Sequence, residues 1–190
     1  DYDIAVSDRS KLERKTARAF QYSYRLKEGN TIKNGVVLMD KAGNATTMTH
    51  ELGHLIENSV SGIHEAVKKF LAYRTRGEKA RQLKKVFPNI AYRSDEFGKK
   101  DKFDEVWKRV IRRRDFFNRT DRQLSFDAQQ GLDQEALRSA YYTGKEYKNA
   151  SEIVSMGLQL LFEDPVSFAR YDREYFKFMV GILRGDLRYY

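Results

Sequence analysis

Three histidines occur in the chain, and two of them, His50 and His54, stand four residues apart with Glu51 directly after the first. On an α-helix, positions i and i+4 lie one above the other on a single face, so both imidazoles can reach the same ion. Glu51 is turned by about 100° from His50 around the helix axis. It need not bind the ion and can instead reach a water molecule beside it. The pattern is H-E-x-x-H, and the chemistry that set performs is hydrolysis by two zinc ligands and a general base.

Two histidines do not hold a catalytic zinc by themselves, because such sites take three protein ligands and keep a fourth position open. The metzincin continuation needs glycine at position 57 and histidine at position 60, where this chain has Glu57 and Val60. Glu57 shares the histidine face but lies roughly 10 Å along the axis from His50. His64 follows a break at Ser61 and Gly62 and reads as a surface or packing histidine. A second helix must therefore supply the third ligand. Glu152 is the best candidate, since a carboxylate in the first turn of an otherwise apolar helix needs a buried partner or a route to water. The competing reading is a capping box over residues 149–152, with Glu152 folded back on the cap amide.

The run H-E-L-G-H-L-I-E, followed at a distance by Y-T-G-K-E-Y, S-E-I-V-S-M-G-L and F-E-D-P, resembles zincin-like metallopeptidases of the gluzincin arrangement. More narrowly, it resembles the peptidase-like domains attached to phage head-morphogenesis (minor capsid) proteins and to bacterial polymorphic toxins. The resemblance covers about a third of the chain, and residues 88–140 lie outside it. It implies a Zn²⁺ held by His50, His54 and Glu152, Glu51 as general base, and a protein or peptide substrate. Tyr147, five residues before Glu152, is the candidate oxyanion donor, with Tyr142 behind it; the alternative is that both are packing aromatics. The resemblance also implies a setting on a virion or in a target-cell cytoplasm.

The elements that must position these residues are mostly helical. Residues 45–58 form the motif helix behind an Asn44 cap, with Leu52, Leu55 and Ile56 as its buried stripe. Gly53, inside that helix, lets another backbone come close. Ile63, Ala66, Val67, Phe70 and Leu71 repeat at helical spacing, as do Phe103, Val106, Trp107, Val110 and Ile111. Residues 150–163 read as an interior helix capped by Asn149, Asp164-Pro165 ends it, and Asp172 opens a last helix closed by Gly185. A third helix is expected over 78–87, stopped by Pro88, and one hairpin within 88–102. Residues 118–135 are too polar to assign, and 141–147 reads as a turn. Before the motif, residues 10–20 suit a short helix. Residues 20–26 alternate as a strand, 31–35 read as strand then turn, and 36–39 as a buried strand. The expected class is α+β, predominantly helical and zincin-like, with a small N-terminal sheet and one domain over 1–190 cut from a longer protein, 88–140 being a possible insertion.

Composition narrows the remaining choices. Of 190 residues, 41% are apolar and 13% aromatic, enough for an ordinary core. The chain has no cysteine, which excludes disulfides and thiolate-bound zinc. No run approaches the roughly 18 apolar residues of a membrane span, and no signal-peptide pattern opens the chain. The formal charge of +9 favours anionic partners. Two non-peptidase readings follow: a zincin-fold binding or structural module that cleaves nothing, and a nucleic-acid-binding domain. The latter would use Lys108, Arg109, Arg112, Arg113, Arg114, Arg119 and Arg122, interleaved with Trp107, Phe116 and Phe117.

Overall fold

The structure is a computed structural model describing residues 19–25, 32–39, 45–118, 126–145 and 151–187. Its first two elements are strands β1 (Ala19–Arg25) and β2 (Ile32–Met39), paired antiparallel. The alternation over 20–26 therefore forms a strand as expected. The turn expected at 34–35 does not form. Tyr22 faces Val36 and Tyr24 faces Lys33, so one residue of β1 opposes two of β2, and the strand runs on through a bulge at Asn34 and Gly35. The helix expected over 10–20 falls mostly outside the described residues, and residues 19 and 20 belong to β1.

Helix α1 (Ala45–Ser59) carries the H-E-x-x-H residues, packs against β1 and β2, and is followed by α2 (Ile63–Arg74). The five apolar residues of α2 are all buried as their spacing requires, and Phe70 stacks flat on Phe178 with ring centroids 4.1 Å apart. Beyond α2, the expected ten-residue helix is cut down. Arg81–Gln82 is a short strand, β3, and only Leu83–Val86 is helical, as α3. β3 pairs antiparallel with β4 (Phe97–Gly98), so only one of the two strands falls within 88–102, and the hairpin expected inside that range is replaced by a pairing that reaches back before Pro88. The strand takes residues that local propensity assigns to the helix, because Leu83 donates its amide to the Glu96 carbonyl and is completely buried there.

Helix α4 (Phe103–Asn118) places Phe103, Val106, Trp107, Val110 and Ile111 in the core. It packs along α5 (Phe126–Thr143), an 18-residue helix over the stretch left unassigned and into the expected turn at 141–147. The fully buried α5 residues in this core are Ala136 and Ala140, with Leu132 and Tyr142 packed against it. Small side chains bring α4 and α5 together while leaving little apolar signal. The Trp107 indole N–H donates to Thr143 Oγ1 at 2.9 Å, tying the two helices with a buried bond. α4 and α5 thus contribute to the same core as the motif-bearing segments.

The last three helices are α6 (Ile153–Glu163), α7 (Pro165–Tyr171) and α8 (Arg173–Leu183). α6 begins three residues later than its sequence suggests and is buried through Gly157. Asp164 caps α7 by accepting from the Ser167 amide, with Pro165 at the first helical position. Asp172 caps α8 by accepting from the Tyr175 amide. Gly185 closes α8 at φ 71°, where the Asp186 amide reaches the Gly181 carbonyl at 2.8 Å. The buried guanidinium of Arg74 joins the end of α2 to Asp172 and Asp101, at 2.8 and 2.6 Å. The chain is predominantly helical, with eight helices among the described residues and two small two-stranded sheets.

Candidate metal centre

The close approach of α1 to α6 builds the site, and Gly53 makes it possible. A Cβ at position 53 would lie 2.3 Å from the Ser155 Cα and 2.6 Å from its amide nitrogen. Only a residue without a side chain lets the two backbones meet there. Gly53 sits directly before His54, so this contact sets the start of α6 against the histidine face.

Glu152 is the residue just before α6, with φ −104° and ψ 3°, and it is 2% exposed. Glu152 itself stands at the N-cap of α6, and its side chain makes no capping bond to that helix; Asn149, whose amide the capping-box reading invokes, lies outside the described residues. The carboxylate instead turns toward α1. Glu152 Oε2 lies 3.4 Å from His50 Nε2 and 3.2 Å from His54 Nε2. The two rings meet edge to face with centroids 5.0 Å apart. Ser155 Oγ donates to the same Oε2 at 2.8 Å and fixes the carboxylate.

Charge in this pocket is divided unevenly. Burial pushes the His50 ring below the usual imidazole range, and the pull of Glu152 only partly opposes it. Burial disfavours charge on His54 as well, but the hydrogen bond and the negative charge of Glu152 outweigh it, holding that ring above the usual range. A buried carboxylate wants a cation, and a proton on His54 can serve. A metal ion can serve as well. The three ligand atoms lie within 4.8 Å of one another, and a tetrahedron with bonds of about 2.0–2.1 Å has edges of roughly 3.3 Å. The two separations from Glu152, 3.2 and 3.4 Å, are close to such an edge. His50, His54 and Glu152 therefore form a group that could hold a metal ion.

The other sequence candidates fall around this group. Glu51 is buried, and its charge is felt at His54, so it adjoins the imidazoles. Tyr142 stands beside His50 with ring centroids 6.1 Å apart, whereas Tyr147 lies outside the described residues. Glu57 takes no part in the group, as its distance along the helix requires. It accepts from Ser151 Oγ at 3.1 Å and faces His64 Nδ1 at 3.0 Å. That bond anchors the residue next to Glu152, a role the sequence does not reveal. Burial raises the Glu57 carboxyl above the usual range, against its hydrogen bonds. Gln159 was also missed. Two turns into α6, it hydrogen-bonds the His50 ring in the sense that favours the protonated form, and donates to Glu163 at 2.8 Å. A hydrogen-bond partner of this kind orients the imidazole ring.

Beside His50 opens a cleft of about 390 Å³, lined by Tyr92, Tyr142, Met156 and Gln159 among others. Its size suits a side chain or small ligand. The basic segment of α4 is turned to internal use. Arg112 pairs with Asp133, Arg113 with Asp164 and Arg114 with Glu135. Trp107 is buried and stacks on nothing from outside. Arg119 and Arg122 lie outside the described residues, as do the side chains of Phe116 and Phe117. No helix among the described residues is long and apolar enough to cross a membrane.

Comparison with known protein families, curated proteins and solved structures gives no match. The functional reading rests on the geometry of the site.

Proposed function

We propose that the protein is a zinc-dependent peptidase of the gluzincin arrangement, with Zn²⁺ held by His50, His54 and Glu152. The convergence of one buried carboxylate oxygen on two imidazole nitrogens carries this reading. Two nitrogens and one oxygen from the protein, with a position left over, suit a catalytic zinc rather than a structural one. When bound, the ion supplies Lewis acidity and lowers the pKa of a water molecule to about 7. With the ion in place, Glu51 would serve as the general base, accepting a proton from the attacking water and returning it to the leaving amine. Tyr142, which lines the cleft, would donate a hydrogen bond to the carbonyl oxygen as negative charge develops there. Ser155 and Gln159 keep the ligands oriented throughout.

The competing reading, a zincin-fold module that cleaves nothing, has no use for a second buried acid next to the histidines. Nucleic-acid binding loses its main support in the intramolecular pairing of Arg112, Arg113 and Arg114. Cleavage of casein or of a peptide library, with and without chelator, tests the proposal. Wild type should cleave, chelator should stop it, and Glu51→Gln should lower kcat by about 10²–10⁴-fold with its melting temperature unchanged. A Glu51→Gln variant as active as wild type removes Glu51 from the mechanism.

A further inference from the structure

Two cavities lie side by side along α5. The one beside His50 measures about 390 Å³, and its neighbour about 450 Å³. Ile90, Glu135 and Arg138 line both, so the two form successive parts of one groove leading away from the metal-binding group. That shape suits an extended chain rather than a compact small molecule. Its walls near His50 are aromatic, from Tyr92 and Tyr142, and its charged groups are Arg114, Glu135 and Arg138.

These three charges are not equivalent. Arg114 pairs with Glu135 and also faces Glu163 at 3.7 Å. Its charge is neutralised within the protein, and so is that of Glu135. Lys145, close by over the Tyr142 ring, is buried against Glu96 at 2.5 Å. Arg138 is exposed, and among the described residues it pairs with no carboxylate. It stands where the two cavities join, close enough to Tyr92 for its charge to be felt at the phenol. A guanidinium in a groove is a ready partner for a carboxylate, because its planar fork matches that group.

We propose that Arg138 makes this groove selective for an acidic side chain, Asp or Glu, close to the scissile bond of the peptide substrate. The proposal rests on the peptidase reading. On that reading His50, Glu51, His54 and Glu152 would carry the hydrolysis, while Arg138 determines which peptides the groove receives.

The test compares matched peptides carrying Asp or Lys at each position around the cleaved bond. For wild type, kcat/KM at one position should favour Asp over Lys by tenfold or more, and 0.5 M salt should shrink that ratio. Arg138→Ala should bring the ratio near one, and Arg138→Glu should invert it. A merely damaged fold would lower both rates without changing their ratio. Cleavage with no acidic preference, or a preference unchanged in Arg138→Glu, overturns the role of Arg138 and leaves the peptidase reading standing. A preference for Lys would assign the selection to Glu135 and overturns the proposal too. Should wild type cleave nothing, binding of the same peptides to Glu51→Gln by fluorescence anisotropy decides the matter: equal affinity for Asp and Lys peptides overturns it, and tighter Asp binding lost in Arg138→Glu supports it.

Discussion

A buried carboxylate between two imidazoles is costly unless something positive joins it, so the residues that hold it in place are as informative as the ligands. Ser155 Oγ donates to the Glu152 oxygen that faces the histidines, at 2.8 Å, and Gln159 hydrogen-bonds the His50 ring. Removing the latter partner should loosen the ring without touching the ion directly. Gln159→Ala is expected to weaken zinc affinity by about 10–100-fold in a chelator competition, while the circular dichroism spectrum stays that of wild type. Unchanged affinity would reduce Gln159 to a packing residue. At this scale the sequence is legible where spacing is local. His50, Glu51 and His54 announce themselves by position alone, and Glu152 stands out as an acid at the head of an apolar helix. Gln159 and the Glu57–Ser151 bond do not, because each acts between chain segments, and Ser155, though local to Glu152, has a residue type not confined to such a role.

The decisive element pair is α1 and α6, and their spacing is set by the absence of a side chain at Gly53. Gly53→Ala would press a methyl group onto the Ser155 backbone, which cannot yield as a flexible side chain can. The expected cost is at least about 2 kcal/mol in urea denaturation, with zinc affinity falling alongside as Glu152 moves away. A stability equal to wild type would show that the two helices are not held so close. The α6–α7 corner gives a pH prediction. Burial works against charge on Asp164, but its bonds to Ser167 and the nearby Arg113 prevail and hold the carboxyl below the usual range. A carboxyl lower in the folded than in the unfolded state stabilises above its unfolded value, near 3.8, and loses that contribution as pH falls through the folded value. Asp164→Ala should therefore cost about 1 kcal/mol at pH 7, and the gap between variant and wild type should narrow below pH 4. A gap that is constant with pH would contradict this.

Element reading also shows where sequence pattern fails. α2 and α4 carry large residues at helical spacing and are found where expected. α5 hides because its fully buried residues in the main core are Ala136 and Ala140, which pack closely but signal weakly. The helix expected over 78–87 loses its first half to β3, since pairing with β4 and burial of Leu83 outweigh local preference. Asn34-Gly35 reads as a turn by type, yet the β1–β2 register absorbs it as a bulge.

For the whole molecule, one core is shared by segments from residue 63 to residue 182, and the metal-binding group lies between two of the helices that enclose it. Binding an ion there should therefore stabilise the entire fold: at a zinc concentration 100 times the dissociation constant, linkage gives about 2.7 kcal/mol. The basic charge of +9 is distributed over surfaces where much of the α4 segment is internally paired. The most direct test of the account is the metal content of purified protein by elemental analysis, for wild type, His54→Ala and Glu152→Ala. The account predicts about one zinc per wild-type chain and almost none in either variant, with both variants still helical. Zinc-free wild type that also fails to take up added zinc, or full zinc retained in Glu152→Ala, would contradict it.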